Sequence, residues 1–216
     1  MTLAIFDLDH TLIDGDSDYL WGEFMAETGI VDAAAYRARN LEFYEDYQRG
    51  SLDNDQYLAF SLEPLTRHPL EKLYAWRREF VESRIKPLVK AGVAAKFELH
   101  RQQGHELMII SATHRFITEP IAEMLQISCL LATEPESADG RYTGRYLGTA
   151  TYREGKVVAL QQWLQASGHT MDGAYFYSDS INDLPLLEKV EFPITVSPDN
   201  ELQAIAEARG WPIIEL

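Results

Sequence analysis

The chain has 216 residues, with 34 acidic against 19 basic side chains and a formal net charge of −15. That length allows one substantial core, or one core with a smaller insert, and 46% hydrophobic with 25% charged residues is an ordinary soluble globular composition rather than a disordered one. The charge disfavours nucleic acid and anionic membrane surfaces, which are held through Lys and Arg, and no basic run of five residues occurs. A small anionic substrate remains compatible, because a local cation site overrides a global field.

The one cysteine, Cys129, lies in the apolar stretch ISCLLA and reads as a small buried hydrophobe. The first residues lack a basic segment, and the apolar run at 3–6 is too short for a secretion signal. No stretch approaches the ~18 apolar residues that span a bilayer. A cytoplasmic location is expected by elimination.

In chain order, residues 2–6 (TLAIF) form a short apolar run that suits a buried parallel strand. Residues 19–84 then show helical spacing without a strand, with Asp53 and Pro69 as helix starts and Gly50 as a stop. Helical periods at 87–103, 115–126, 155–167, 183–189 and 199–209 alternate with apolar runs at 106–110 and 174–178. Runs at 191–196 and 211–216 are weaker, and Pro193 suggests an outer strand for the first. Residues 129–150 read as an inserted β-hairpin turning at Ala138–Asp139–Gly140. The expected fold is therefore α/β, a doubly wound parallel sheet with an inserted helical cap. Residues 1–14 and 86–216 would form the core and 15–85 the cap.

In such sheets ligands bind beyond the carboxyl ends of the strands. Asp7-Leu8-Asp9-His10-Thr11 follows the first strand, Ser111-Ala112-Thr113 the second, and Asp179-Ser180-Ile181-Asn182-Asp183 the strand at 174–178. Gly155-Lys156 opens the helix before that last strand. Singly these read as solvated turns, helix caps and a wet lysine; together they fall on one rim of one sheet.

With these motifs the chain resembles the haloacid dehalogenase superfamily, and within it the branch containing phosphoserine phosphatase. FDLDHTL matches the nucleophile motif, IISAT the second motif, Lys156 the third and SDSINDLP the fourth. Ala112-Thr113 departs from the glycines usual after the second-motif Ser. The resemblance implies a Mg²⁺-dependent phosphomonoesterase. Asp9 would give its backbone carbonyl to the metal, Asp183 would hold a metal-bound water, and Ser111 and Lys156 would grip the phosphate. Thr11, Ala112 and Asn182, from the same motifs, and Asp16 complete the expected phosphate- and substrate-binding set.

The chemistry of the residues agrees. A carboxylate at Asp7 can attack phosphorus and form an acyl phosphate, dividing one difficult displacement into two. Asp9 points to the same side if strand geometry persists, and repulsion with burial raises one pKa of the pair, which suits a proton donor and acceptor. Asp7, Asp9, Asp179 and Asp183 make an oxygen-rich setting for Mg²⁺. His10 and His114 fall beside this site, either touching substrate or simply solvated. The aromatic residues of the insert read mainly as core, with one or two facing the crevice.

Other readings compete. A dehalogenase of the same fold lacks the second acid that Asp9 supplies. A phospho-accepting receiver domain has no use for a lid of about 65 residues. A phosphotransferase would keep every motif. For substrate, Asp16 falls where phosphoserine phosphatases place an amine-recognising Glu. Arg37, Arg39 and Arg84 are available for a carboxylate, whereas Asp16, Asp18, Glu42 and Glu45 favour a cationic end. The chain is also similar to bacterial histidinol-phosphate phosphatases of this branch, so histidinol phosphate is the expected substrate and phosphoserine the alternative.

Overall fold

The computed structural model describes all residues from Met1 to Leu216. Its centre is a six-stranded parallel sheet ordered β3-β2-β1-β6-β7-β8. The strands are β1 (Leu3–Phe6), β2 (Glu106–Ser111), β3 (Cys129–Ala132), β6 (Tyr175–Ser178), β7 (Phe192–Val196) and β8 (Ile213–Ile214). β1 is wholly buried between β2 and β6. Its side chains divide by the two-residue period of a strand. Ala4 and Phe6 join a core of 30 residues on one face, while Leu3 and Ile5 join one of 12 residues on the other. The smaller core is closed by Val157 and Leu160 of α7 (Glu154–Ser167), Leu186 and Leu187 of α8 (Leu184–Leu187) and Leu202 of α9 (Asn200–Arg209).

The larger core is continuous with the helical insert. Four helices follow β1: α1 (Ser17–Glu27), α2 (Ala33–Gln48), α3 (Asn54–Thr66) and α4 (Leu70–Phe80). Trp21 of α1 lies edge-on to Phe80 at 5.2 Å and to Phe116 at 5.6 Å. Phe116 belongs to α6 (Arg115–Met124), which packs on the sheet beside α5 (Val93–Gln102). The chain leaves and re-enters the sheet region through two adjacent segments. An antiparallel bridge joins Ile13 to Val89, and Asp14 N–H donates to the Leu88 carbonyl at 2.7 Å. The Asp53 carboxylate caps α3 through Gln56 N–H, and Gly50 ends α2 at φ +66°.

Three local expectations change. CLLA is not the first arm of the hairpin; it is β3, a parallel edge strand paired with β2. The hairpin is β4 (Glu134–Ala138) with β5 (Arg141–Leu147), turning through left-handed Asp139 and Gly140, and β5 lies against α3. A short apolar run looks the same in either setting, which is why the sequence misplaced it. β7 is not an edge strand, yet β8 reaches only Thr195 and Val196, so Pro193 meets no outer neighbour that needs its missing N–H. Cys129 is only partly buried, and its thiol is pushed up to about 11 by that burial. No helix is long and apolar enough to cross a membrane.

His100 of α5 is 2% exposed, with Nε2 2.8 Å from the Tyr177 hydroxyl and Nδ1 2.9 Å from His105 Nδ1. Burial, then repulsion from His105 and Lys96, pushes its imidazole down to about 4. The unfolded chain therefore binds a proton near pH 6.5 that the folded chain refuses, so stability falls as pH drops from 6.5 toward 4. Thermal midpoints measured across that range should fall, and His100→Gln should flatten the decline. An unchanged slope in the variant would contradict this assignment.

Candidate active site

β1 is the topological switch point of the sheet, with β2 on one side and β6 on the other, so a crevice opens beyond its carboxyl end. Asp7 is the first residue past β1, and its N–H still donates to the Tyr177 carbonyl at 2.9 Å. Opposite stands Lys156 in the first turn of α7, 2% exposed. The tight approach to α7 requires a glycine before that lysine, since a Cβ on Gly155 would lie 1.8 Å from the Ala150 carbonyl oxygen. Arg153, at the same helix entrance, is held at φ +51°.

The Lys156 ammonium lies 2.6 Å from Asp7 Oδ1 and 2.7 Å from Asp183 Oδ1. Ser178 donates to Asp183 Oδ2 at 2.6 Å, and Thr11 donates to Asp179 Oδ1 at 2.9 Å. Burial raises the Asp7 carboxyl, opposed by the Lys156 ammonium and reinforced by repulsion from Asp183 and Asp9. Burial likewise raises Asp179 well above the carboxylate range, with Asp7 and Asp183 adding repulsion. Lys156 is raised by the same two carboxylates against its own desolvation. One ammonium faces two buried carboxylates, Asp7 and Asp183, with the half-buried Asp179 beside them, and a hard divalent cation held by oxygens fits that excess of acid. The side chains do not form a complete ligand cage. Mg²⁺ does not require one, because it keeps several waters and shares substrate oxygens.

Other expected site residues fall into two groups. Ser111 is buried at the end of β2, and its Oγ accepts from Thr113 N–H at 3.1 Å. Ala112 and Thr113 line the crevice beside it. Asp9 does not continue the strand. The chain turns at His10, φ +55°, and the Asp9 carboxylate accepts from Ser17 N–H at 2.7 Å and from the Thr113 hydroxyl at 2.8 Å. Thr11 is committed to Asp179 rather than turned to the crevice. Asn182 sits where the insert meets the sheet: Nδ2 donates to the Tyr47 carbonyl at 3.2 Å, while Oδ1 accepts from Tyr152 and Arg153. Asp16 caps α1 through Asp18 and Tyr19 N–H groups.

Between the insert and the sheet lies a crevice lined by Asp9, Asp16, Asp18, Ala112, Thr113 and a wall of aromatics including Tyr44, Tyr47 and Tyr57. Arg37 pairs with Glu23, Arg39 with Glu42, Arg84 with Glu27, and Arg49 with Glu45, all away from it. None of the three candidate arginines, and neither Glu42 nor Glu45, meets the crevice.

A family model for haloacid dehalogenase-like hydrolases matches residues 4–188. The chain belongs to that family. It is 44% identical, over 98% of its length and 97% of the relative's, to a histidinol-phosphatase of Neisseria meningitidis serogroup C. A crystal structure of a Bordetella pertussis protein of unknown function superposes with a TM-score of 0.93 at 44% identity, covering 100% of this chain and 99% of that one. A substrate-bound phosphoserine phosphatase superposes at 0.73 and 20% identity, covering 100% and 93%, a likeness of fold. This hydrolase is accordingly an enzyme of the phosphatase type.

Several of the hydrolase's site neighbours escaped the sequence. Ser178 precedes an obvious acidic motif, but nothing local shows that its hydroxyl orients Asp183. Aromatics of the insert do face the crevice as expected, though more than one or two: Phe43, Tyr44, Tyr47 and Tyr57 all line it. His114 is neither solvated nor in the crevice lining; it is wholly buried. The Lys156 bridge makes a direct prediction. Lys156→Met leaves two buried carboxylates without a counter-charge and should destabilise the hydrolase by about 3–5 kcal/mol at pH 8. The deficit should shrink toward pH 5.5 as Asp7, whose carboxyl is raised by burial, takes up a proton. Denaturant titrations at the two pH values check it; an equal deficit at both would contradict the ion-pair account.

Proposed function

We propose that this phosphatase hydrolyses a small phosphomonoester through a phosphate transiently bound to Asp7, with histidinol phosphate as the substrate. The observation that carries the reading is the buried Lys156 bridge from Asp7 to Asp183, with Asp179 beside it, at the switch point of the sheet. Lys156 engages Asp7 through Oδ1, which leaves Oδ2 to attack phosphorus. The bond from phosphorus to the leaving alcohol oxygen breaks, and Asp9 delivers the proton that oxygen needs. Water then attacks the phosphorus, Asp9 takes its proton, and inorganic phosphate leaves with Asp7 restored.

Asp7, Asp179 and the Asp9 carbonyl, with Asp183 nearby, would hold Mg²⁺, which would supply charge neutralisation for a dianionic phosphate approaching carboxylates. Lys156 and Ser111 hold the remaining phosphate oxygens, and preorganised donors of this kind each contribute ~10²–10³ in rate. The helices of residues 15–85 act as the cap that excludes water from the intermediate. The 44% identical histidinol-phosphatase and the absence of any basic side chain in the crevice lining both favour histidinol phosphate over phosphoserine.

With Mg²⁺ present, histidinol phosphate should turn over faster than phosphoserine or an aryl phosphate, and excess chelator should stop all three. Hydrolysis of the aryl phosphate alone would overturn the substrate. Asp7→Asn should lower turnover by at least about 10³-fold with an unchanged circular dichroism spectrum. Millimolar Mg²⁺ should also raise the thermal midpoint of the wild type, as binding to the folded state requires, and Asp179→Asn should lose that shift.

A further inference from the structure

Beyond Asp9, the far end of the crevice is built from acids, amides and aromatic rings, with no Lys, Arg or His in its lining. Its three carboxylates are not equivalent. Asp9 is occupied by Ser17 N–H and Thr113, and Asp16 accepts two N–H groups of α1. Asp18, in the first turn of the same helix, has no backbone role. It is 6% exposed, and the Tyr57 hydroxyl is its hydrogen-bonding neighbour.

Behind it lies His114, wholly buried, with Nε2 3.7 Å from Asp18 Oδ1 and no hydrogen-bond partner on either ring nitrogen. Burial pushes that imidazole down to about 3, so it stays neutral and offers Asp18 no counter-charge. A carboxylate enclosed by Tyr57, a neutral imidazole and two further acids is costly without a cation. The protein's own cations are engaged elsewhere. The rings of Tyr19 and Tyr44, with centroids 4.8 Å apart, lie along the same wall. Such rings attract a cation or stack on a flat charged ring.

We infer that Asp18 is the specificity-determining residue of the crevice, receiving a protonated nitrogen, amine or imidazolium, at the end of the substrate remote from the phosphate. Substrates that carry a carboxylate there are rejected, because it would face Asp18 and Asp16 with no cation to meet it. The inference rests on the phosphomonoesterase reading above and assigns the recognition within it to Asp18 rather than to the helix-capping Asp16.

Steady-state kinetics under Mg²⁺ with L-histidinol phosphate, L-phosphoserine and p-nitrophenyl phosphate test it. Asp18→Asn should lower the ratio of kcat/KM for histidinol phosphate to that for p-nitrophenyl phosphate by about 30- to 100-fold, chiefly through KM. Asp16→Asn should leave that ratio within about threefold. A ratio unmoved by Asp18→Asn, or moved by Asp16→Asn alone, overturns the assignment. Independently of how either variant folds, L-histidinol, a cation without phosphate, should inhibit wild-type hydrolysis of p-nitrophenyl phosphate competitively. L-serine should not inhibit at equal concentration. No inhibition by histidinol also overturns the assignment. A wild type that cleaves none of the three phosphates contradicts the phosphomonoesterase reading itself.

Discussion

A single ammonium, that of Lys156, lies buried between two carboxylates, and much of the site is arranged around it. Desolvating a lysine is expensive and is offset only by close, well-oriented acceptors. Asp7 and Asp183 provide them at 2.6 and 2.7 Å. Ser178 fixes Asp183 from the opposite side, and Gly155 lets the α7 entrance come close enough to bring the lysine in. The same contact leaves one oxygen of Asp7 unoccupied. With Asp179 alongside, the centre carries more negative charge than one lysine balances. A phosphate dianion cannot approach such a centre without further positive charge, so the electrostatics that hold the site together also account for the proposed need for a divalent cation.

The chemistry is tied to the insert at two points. Asp9 accepts from the first N–H of α1, and Asn182 donates to the carbonyl of Tyr47 near the end of α2. One continuous hydrophobic core runs beneath both, from Phe6 on the sheet through Phe116 to Trp21 and Phe80 on the insert. Movement of these helices would therefore shift Asp9 and the loop carrying Asp179 and Asp183.

The chain's own pattern announced the strands that carry Asp7, Ser111 and Asp179, because short apolar runs ended by acidic or hydroxylic residues are the local signature of buried parallel strands. It misled where local pattern has no unique meaning. CLLA fits a hairpin arm as well as an edge strand, and only pairing with Met108–Ser111 decides. Asp9 was expected to follow strand alternation, but the left-handed His10 redirects it toward the insert. Glu42 and Glu45 looked like crevice acids because helix spacing does not say which face is wet; both are spent on neighbouring arginines. The buried His114 and the isolation of Asp18 depend on contacts between residues far apart in sequence, which no local pattern encodes.

The central claim is that Asp7 itself carries the phosphate. Rapid acid quench of wild-type enzyme turning over histidinol phosphate with Mg²⁺, borohydride reduction of any acyl phosphate, and peptide mass spectrometry read that position directly. The account predicts a reduced side chain at position 7, absent without substrate. Phosphate found on another residue, or steady turnover with residue 7 never modified, would contradict it.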